Sequence, residues 1–165
     1  MNRIFQYLLF FLSFCIALSA PAQSLFFSNL STRHGLPSNI ISAVAQDSRD
    51  FIWIGTGNGL ARYDGYTFKA FKRLDHASSL PANEISALLP DGDFVWVGTW
   101  RGLCKINTLD FSITRIDLKG NDVVRTLYKD KKGNIWIGTA SGLISIRHDL
   151  GMIHYTAENN QLSHN

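Results

Sequence analysis

A chain of 165 residues, 45% of them hydrophobic, has the size of one small domain and the apolar content for a packed core, which excludes wholesale disorder. Its formal net charge of +3 is spread along the chain with no basic run, so the footprint of a nucleic-acid-binding protein is absent.

The first residues read as a secretory signal. Arg3 supplies a positive charge, Leu8 to Ala20 is almost wholly apolar, and Ala20-Pro21-Ala22 fits a small-x-small cleavage site. A signal-peptide helix over residues 1–22 is therefore expected, with cleavage before Gln23. Its apolar core is too short for a comfortable membrane span, and a retained anchor helix is the alternative. A lipoprotein signal fits less well, because bulky Phe14 stands before Cys15 where a small residue is expected. Cleavage would take Arg3 and Cys15 away and leave a mature charge of +2 with Cys104 alone. No intrachain disulfide could then form, and packing must hold the exported domain.

The remaining sequence, 23–165, reads as short β-strands separated by turn chemistry. Ile40 to Ala45 is a short apolar run, followed by the turn Asp47-Ser48-Arg49-Asp50. Phe51 to Thr56 is rich in β-branched and aromatic residues, and Gly57-Asn58-Gly59 follows it. Leu60 to Tyr63 and Thr67 to Phe71 alternate apolar and polar residues around Asp64-Gly65, a strong hairpin signal. No window after the signal shows a convincing helical period.

This unit then repeats. Ile52-Trp53-Ile54-Gly55-Thr56 returns as Val95-Trp96-Val97-Gly98-Thr99 and as Ile135-Trp136-Ile137-Gly138-Thr139, with the tryptophans 43 and 40 residues apart. Gly-Leu follows each copy at Gly59-Leu60, Gly102-Leu103 and Gly142-Leu143, and Asp47, Asp91 and Asp130 precede them. Leu36-Pro37-Ser38-Asn39 matches Leu80-Pro81-Ala82-Asn83, is reduced to Asn121-Asp122-Val123 in the third copy, and reappears as Leu162-Ser163-His164-Asn165. Four short strands per repeat of about 40–44 residues is the arithmetic of a propeller blade. The expected fold is all-β: a partial β-propeller of three four-stranded antiparallel blades in an open arc. The blades are placed at 36–79, 80–120 and 121–161, with the start of a fourth at 162–165.

The run from Asp130 through Ile135-Trp136-Ile137-Gly138-Thr139 to Gly142-Leu143, together with Arg62-Tyr63-Asp64-Gly65-Tyr66-Thr67-Phe68, resembles the two-component regulator propeller repeats. The resemblance covers about residues 25–165. It implies a periplasmic sensor joined by a membrane helix to a histidine kinase, often with receiver and DNA-binding domains, and commonly responsive to glycan breakdown products. Kinase activity is not expected of this chain, which carries none of those downstream parts.

Most motifs read first as structure. Trp53, Trp96 and Trp136 are expected to fill the space between blades, and Gly55, Gly98 and Gly138 to let backbones approach. Gly55-Thr56-Gly57-Asn58-Gly59 superficially looks like a phosphate-binding loop, but a strand and not a helix is expected after it. His34, His76, His148, His154 and His164 form no metal-spaced pair, and Cys104 falls in a predicted strand. Asp47, Asp91 and Asp130 sit where Asp caps its own turn. No catalytic set, metal site or cofactor site is read.

One functional lead comes from topology. Antiparallel strands alternate direction, so the Leu-Pro-x-Asn loop and the Thr-x-x-Gly turn share one face of the disc. Two copies of that turn hold small residues, Gly57-Asn58 and Ala140-Ser141, whereas the second holds Trp100-Arg101. An aromatic face stacks on apolar ligand surfaces and a guanidinium makes fork-shaped hydrogen bonds, so Trp100 and Arg101 are candidate contacts for a ligand or partner. Arg33 and His34, just before the first Leu-Pro loop, are expected on the same face and join them as candidates. Surface decoration or a blade-edge contact is the competing explanation. The leading function is an extracytoplasmic ligand-sensing segment of a two-component sensor. A protein-binding scaffold without a small ligand, and a fragment of a propeller lyase or hydrolase, are the alternatives. Expected partners are the remaining blades, an oligosaccharide and a second copy of the chain, with no nucleic acid.

Overall fold

Among the described residues, the alternation of apolar and polar side chains folds as twelve strands in three sheets. The computed structural model describes residues 27–120, 123–147 and 151–158, with Arg3 and Ser163 besides. The signal peptide apart from Arg3, the cleavage site before Gln23, Asn121-Asp122 and the fourth-repeat start apart from Ser163 lie outside the described residues.

The first sheet runs β1 (Ile41–Gln46), β2 (Ile52–Thr56), β3 (Gly59–Tyr63) and β4 (Phe68–Phe71). The second runs β5 (Ile85–Asp91), β6 (Phe94–Thr99), β7 (Gly102–Asn107) and β8 (Ile113–Ile116). The third runs β9 (Val124–Lys129), β10 (Ile135–Thr139), β11 (Gly142–Arg147) and β12 (Gly151–Tyr155). Each sheet is antiparallel with neighbours in chain order, because each connection within it is a short turn. A single 3-10 turn, Thr32–His34, precedes them.

The register is the same in all three. Trp53 stands between Ala45 and Arg62, Trp96 between Leu89 and Lys105, and Trp136 between Tyr128 and Ser145. The pairing also slips by one residue at the same place in each first strand, passing over Ser42, Ser86 and Arg125. Such bulges bend and twist a strand. The first strands of consecutive sheets touch, β1 with β5 and β5 with β9, so they lie innermost. This is the radial arrangement of propeller blades.

The side-chain period of two gives each sheet two faces. Trp53 and Leu60 of the first sheet meet Leu80, Ile85, Val95, Val97, Cys104 and Ile106 in one core. Leu103 and Leu118 of the second meet Val124, Ile135, Ile137 and Ile144 in the next. Gly55 and Gly98 make the approach possible. A Cβ on Gly55 would stand 2.6 Å from Ile85 Cγ2, and one on Gly98 would stand 2.5 Å from Val124 Cγ1. Val44, on the far face of the first sheet, is 62% exposed, as is Tyr128 on the far face of the third.

Candidate ligand groove

The turn between β6 and β7 is built around a threonine. Thr99 Oγ1 donates to the Gly102 carbonyl at 2.8 Å and accepts from the Arg101 N–H at 3.1 Å. Thr56 and Thr139 make the same pair of bonds with Gly59 and Asn58, and with Gly142 and Ser141. The turn is thereby stiffened, and the Trp100 N–H donates to the Glu84 carbonyl at 3.1 Å. Trp100 is left 60% exposed beside exposed Arg101.

Arg101 borders a groove of about 370 Å³ running between the loop after β4 and strand β8. Arg73 and Arg115 line it too, with Asp117 as its one carboxylate and Pro81, Leu103 and Leu118 among its apolar walls. Arg115 is tied down: Nε donates to Ser79 O at 2.9 Å, and Nη2 to His76 O, Leu80 O and Ser79 Oγ at 3.2, 2.9 and 3.0 Å. A second hollow of about 310 Å³ shares Arg73 and Arg115 and reaches His76. Sequence reasoning had no way to find Arg73 and Arg115, since 42 residues separate them and neither lies in a repeat signature.

Arg33 and His34 lie elsewhere. Gly35 packs beside Phe68, whose partner Tyr63 pairs with Ile52 on the face of the first sheet turned away from the second. Neither Arg33 nor His34 is among the residues that line the groove. His34 Nδ1 accepts the Ser31 N–H at 3.0 Å and so closes the 3-10 turn.

Among the repeat residues, Trp53 is fully buried while Trp96 and Trp136 are half-buried. Gly138 has its close neighbour within its own sheet, Thr126 Cγ2 at 2.7 Å from an added Cβ. The repeated aspartates do more than close turns. Trp53 Nε1 donates to Asp47 Oδ2 at 2.7 Å, Trp136 Nε1 to Asp130 Oδ2 at 3.0 Å, and Trp96 Nε1 to Asp91 Oδ2 at 3.4 Å. The Trp136 indole, then the Asn134 side chain, hold the Asp130 carboxyl well below the usual carboxylate range. Burial pushes the Cys104 thiol up to about 12, which makes it inert at neutral pH. Among the described residues no group of three or more His, Cys, Asp or Glu could hold a metal, and no helix is long and apolar enough to cross a membrane.

Three radially arranged four-stranded sheets with a common register define an open segment of a β-propeller. The two-component regulator propeller family matches residues 35–58 and 117–141 of this chain. Comparison with curated protein sequences gives no match. Among solved structures, the chain is similar to the extracellular domain of a protein described as a hybrid two-component system, from B. thetaiotaomicron. The two are 28% identical over 87% of this chain and 20% of that one, with a TM-score of 0.72. A second such extracellular domain from B. thetaiotaomicron is 24% identical over 79% of this chain and 20% of that one, with a TM-score of 0.73, a likeness of fold. Virginiamycin B lyase of Staphylococcus aureus shares the fold alone, 13% identical over 74% of this chain and 43% of that one, with a TM-score of 0.58. The chain thus spans about a fifth of the length of the two B. thetaiotaomicron domains.

Proposed function

We propose that this chain is an extracytoplasmic, ligand-sensing propeller segment of a two-component signal-transduction sensor, and that its ligands derive from glycans. It acts by binding, with no catalysis of its own. The signal-like N-terminus supports a periplasmic location, where the longer sensor would be anchored in the inner membrane. Further blades, and a second copy of the chain, are its expected protein partners.

The observation that carries this reading is the repeat itself: two matched family segments on a fold 28% identical to the extracellular domain of a two-component system. The groove beside Trp100 supplies what a sugar-binding surface needs, an exposed aromatic ring next to guanidinium donors on stiff turns. Thermal melts of the chain recovered from the periplasm, run against a panel of oligosaccharides, test it. At least one saccharide should raise the melting temperature, and the recovered chain should begin at Gln23. A panel with no stabilising sugar, and a crosslinked protein in its place, would favour the scaffold reading.

A further inference from the structure

We infer that the groove between the loop after β4, the β6–β7 turn and strand β8 binds the carboxylate of an acidic saccharide, a uronic-acid unit. The saccharide rests on the glycan-sensing reading above. The carboxylate rests on the groove's own charge. Arg73, Arg101 and Arg115 converge there against the single carboxylate of Asp117, whose Oδ1 is occupied by the Lys119 N–H at 2.8 Å.

Three guanidinium groups around one hollow repel each other, and the fold offers no salt bridge to offset them: the ion pairs among the described residues are Arg49–Asp93 and Lys129–Asp91. Arg115 is held by four hydrogen bonds through Nε and Nη2, while its Nη1 makes none among the described residues. Arg115 is exposed, so that nitrogen is held in place by its neighbours and open to a ligand. The side chains of Arg73 and Arg101 likewise have no partner among the described residues.

The fold does not demand these charges. At the β-strand position of Arg115, opposite Cys104, the first sheet has Ala70 opposite Ala61. At the turn position of Arg101 the other sheets have Asn58 and Ser141. The cationic groove is therefore an addition to one blade of a repeat that folds without it.

Guanidinium is planar and matches a carboxylate edge with two parallel hydrogen bonds, which favours a carboxylate over a spherical ion. Leu103 and Leu118, both buried in the core beneath, close the base of the groove. The volume of about 370 Å³ lies at the small end of ligand sites, roughly 300–1,000 Å³, and suits one or two rings.

Surface plasmon resonance on the immobilised full chain tests this with four probes: digalacturonate, its neutral methyl ester, inorganic sulfate and a tetraglutamate peptide. Digalacturonate should bind, and the ester should bind about tenfold more weakly or worse. Arg73→Gln and Arg101→Gln should each weaken digalacturonate by about tenfold, the loss expected for a charge-assisted hydrogen bond, at unchanged melting temperature. No digalacturonate binding, or equal binding of the ester or by the variants, would overturn the proposal. Sulfate binding as tightly as digalacturonate would reduce the groove to a plain anion site and overturn the saccharide. Tighter binding of tetraglutamate would put an acidic protein segment there instead. A neutral oligosaccharide bound equally by parent and variants would overturn this groove while leaving the sensing reading intact.

Discussion

The same tryptophan means different things at its three positions. Trp53 lies between two sheets, its ring 5.6 Å from that of Phe71 and its indole N–H on Asp47. Trp136 faces away from the second sheet and, among the described residues, is covered by its own blade, with Tyr155 at 5.8 Å between ring centroids. Trp53→Ala should therefore cost about 3–5 kcal/mol, the range for deleting a buried large aromatic, and Trp136→Ala clearly less. Urea denaturation of the two variants beside the parent measures it, and equal losses would show that the outward face is as well covered as the inner one. The position of each tryptophan was legible from the repeat. Its burial was not, because burial depends on which sheet stands next to it.

At the scale of the hairpin, the aspartate in each Asp-turn links a β-turn to the strand beyond it. Asp130 Oδ1 accepts the Lys132 and Asn134 N–H groups at 2.9 Å each, while Oδ2 takes the Asn134 amide and the Trp136 indole. The second sheet departs from this pattern for a reason visible in the spacing. Asp91 precedes its tryptophan by five residues where Asp47 and Asp130 precede theirs by six, so the shorter turn leaves the Asp91–indole bond at 3.4 Å. Lys129 of the third sheet then takes the other oxygen of Asp91. Because Asp130 has a folded pKa below its unfolded value near 4, its contribution is complete above about pH 4 and is lost as pH falls through the folded value. Asp130→Asn removes the titration while keeping an acceptor. The difference in melting temperature between parent and Asp130→Asn should be flat from pH 7 to about 5 and shrink below about 4. A difference that stays constant down to pH 2 would mean the carboxylate is not what the turn uses.

At the scale of the molecule, three described sheets make an arc, whereas propellers close with typically four to eight blades. Both ends of the arc carry uncovered apolar side chains: Val44 at 62% exposed at one end, and Tyr128 at 62% at the other. Apolar patches of this kind drive association, and the net charge of +2 on residues 25–165 does little to oppose it. Residues 25–165 expressed alone should self-associate above about micromolar concentration, the regime in which exposed apolar surface aggregates. Light scattering during dilution reads this out, and a monodisperse species across the range would show that the outward faces are self-capped. Leu36 is buried although it precedes every strand, so the segment before β1 already shields part of the first sheet.

The sequence alone determined the unit and its repetition. A period-two pattern, glycine-rich turns and a recurring tryptophan are local properties, and local chemistry places strands such as Ile52–Thr56 to within a residue of the expected Phe51 to Thr56. The family resemblance was legible for the same reason, since the motif lies within one hairpin. The tertiary structure decided which residues meet across blades. It brought Arg73 and Arg115 to the Arg101 turn, and matched Gly55 to Ile85 and Gly98 to Val124. Those pairings join residues tens of positions apart. They follow from the radial stacking of sheets, a relation between repeats that no single repeat contains.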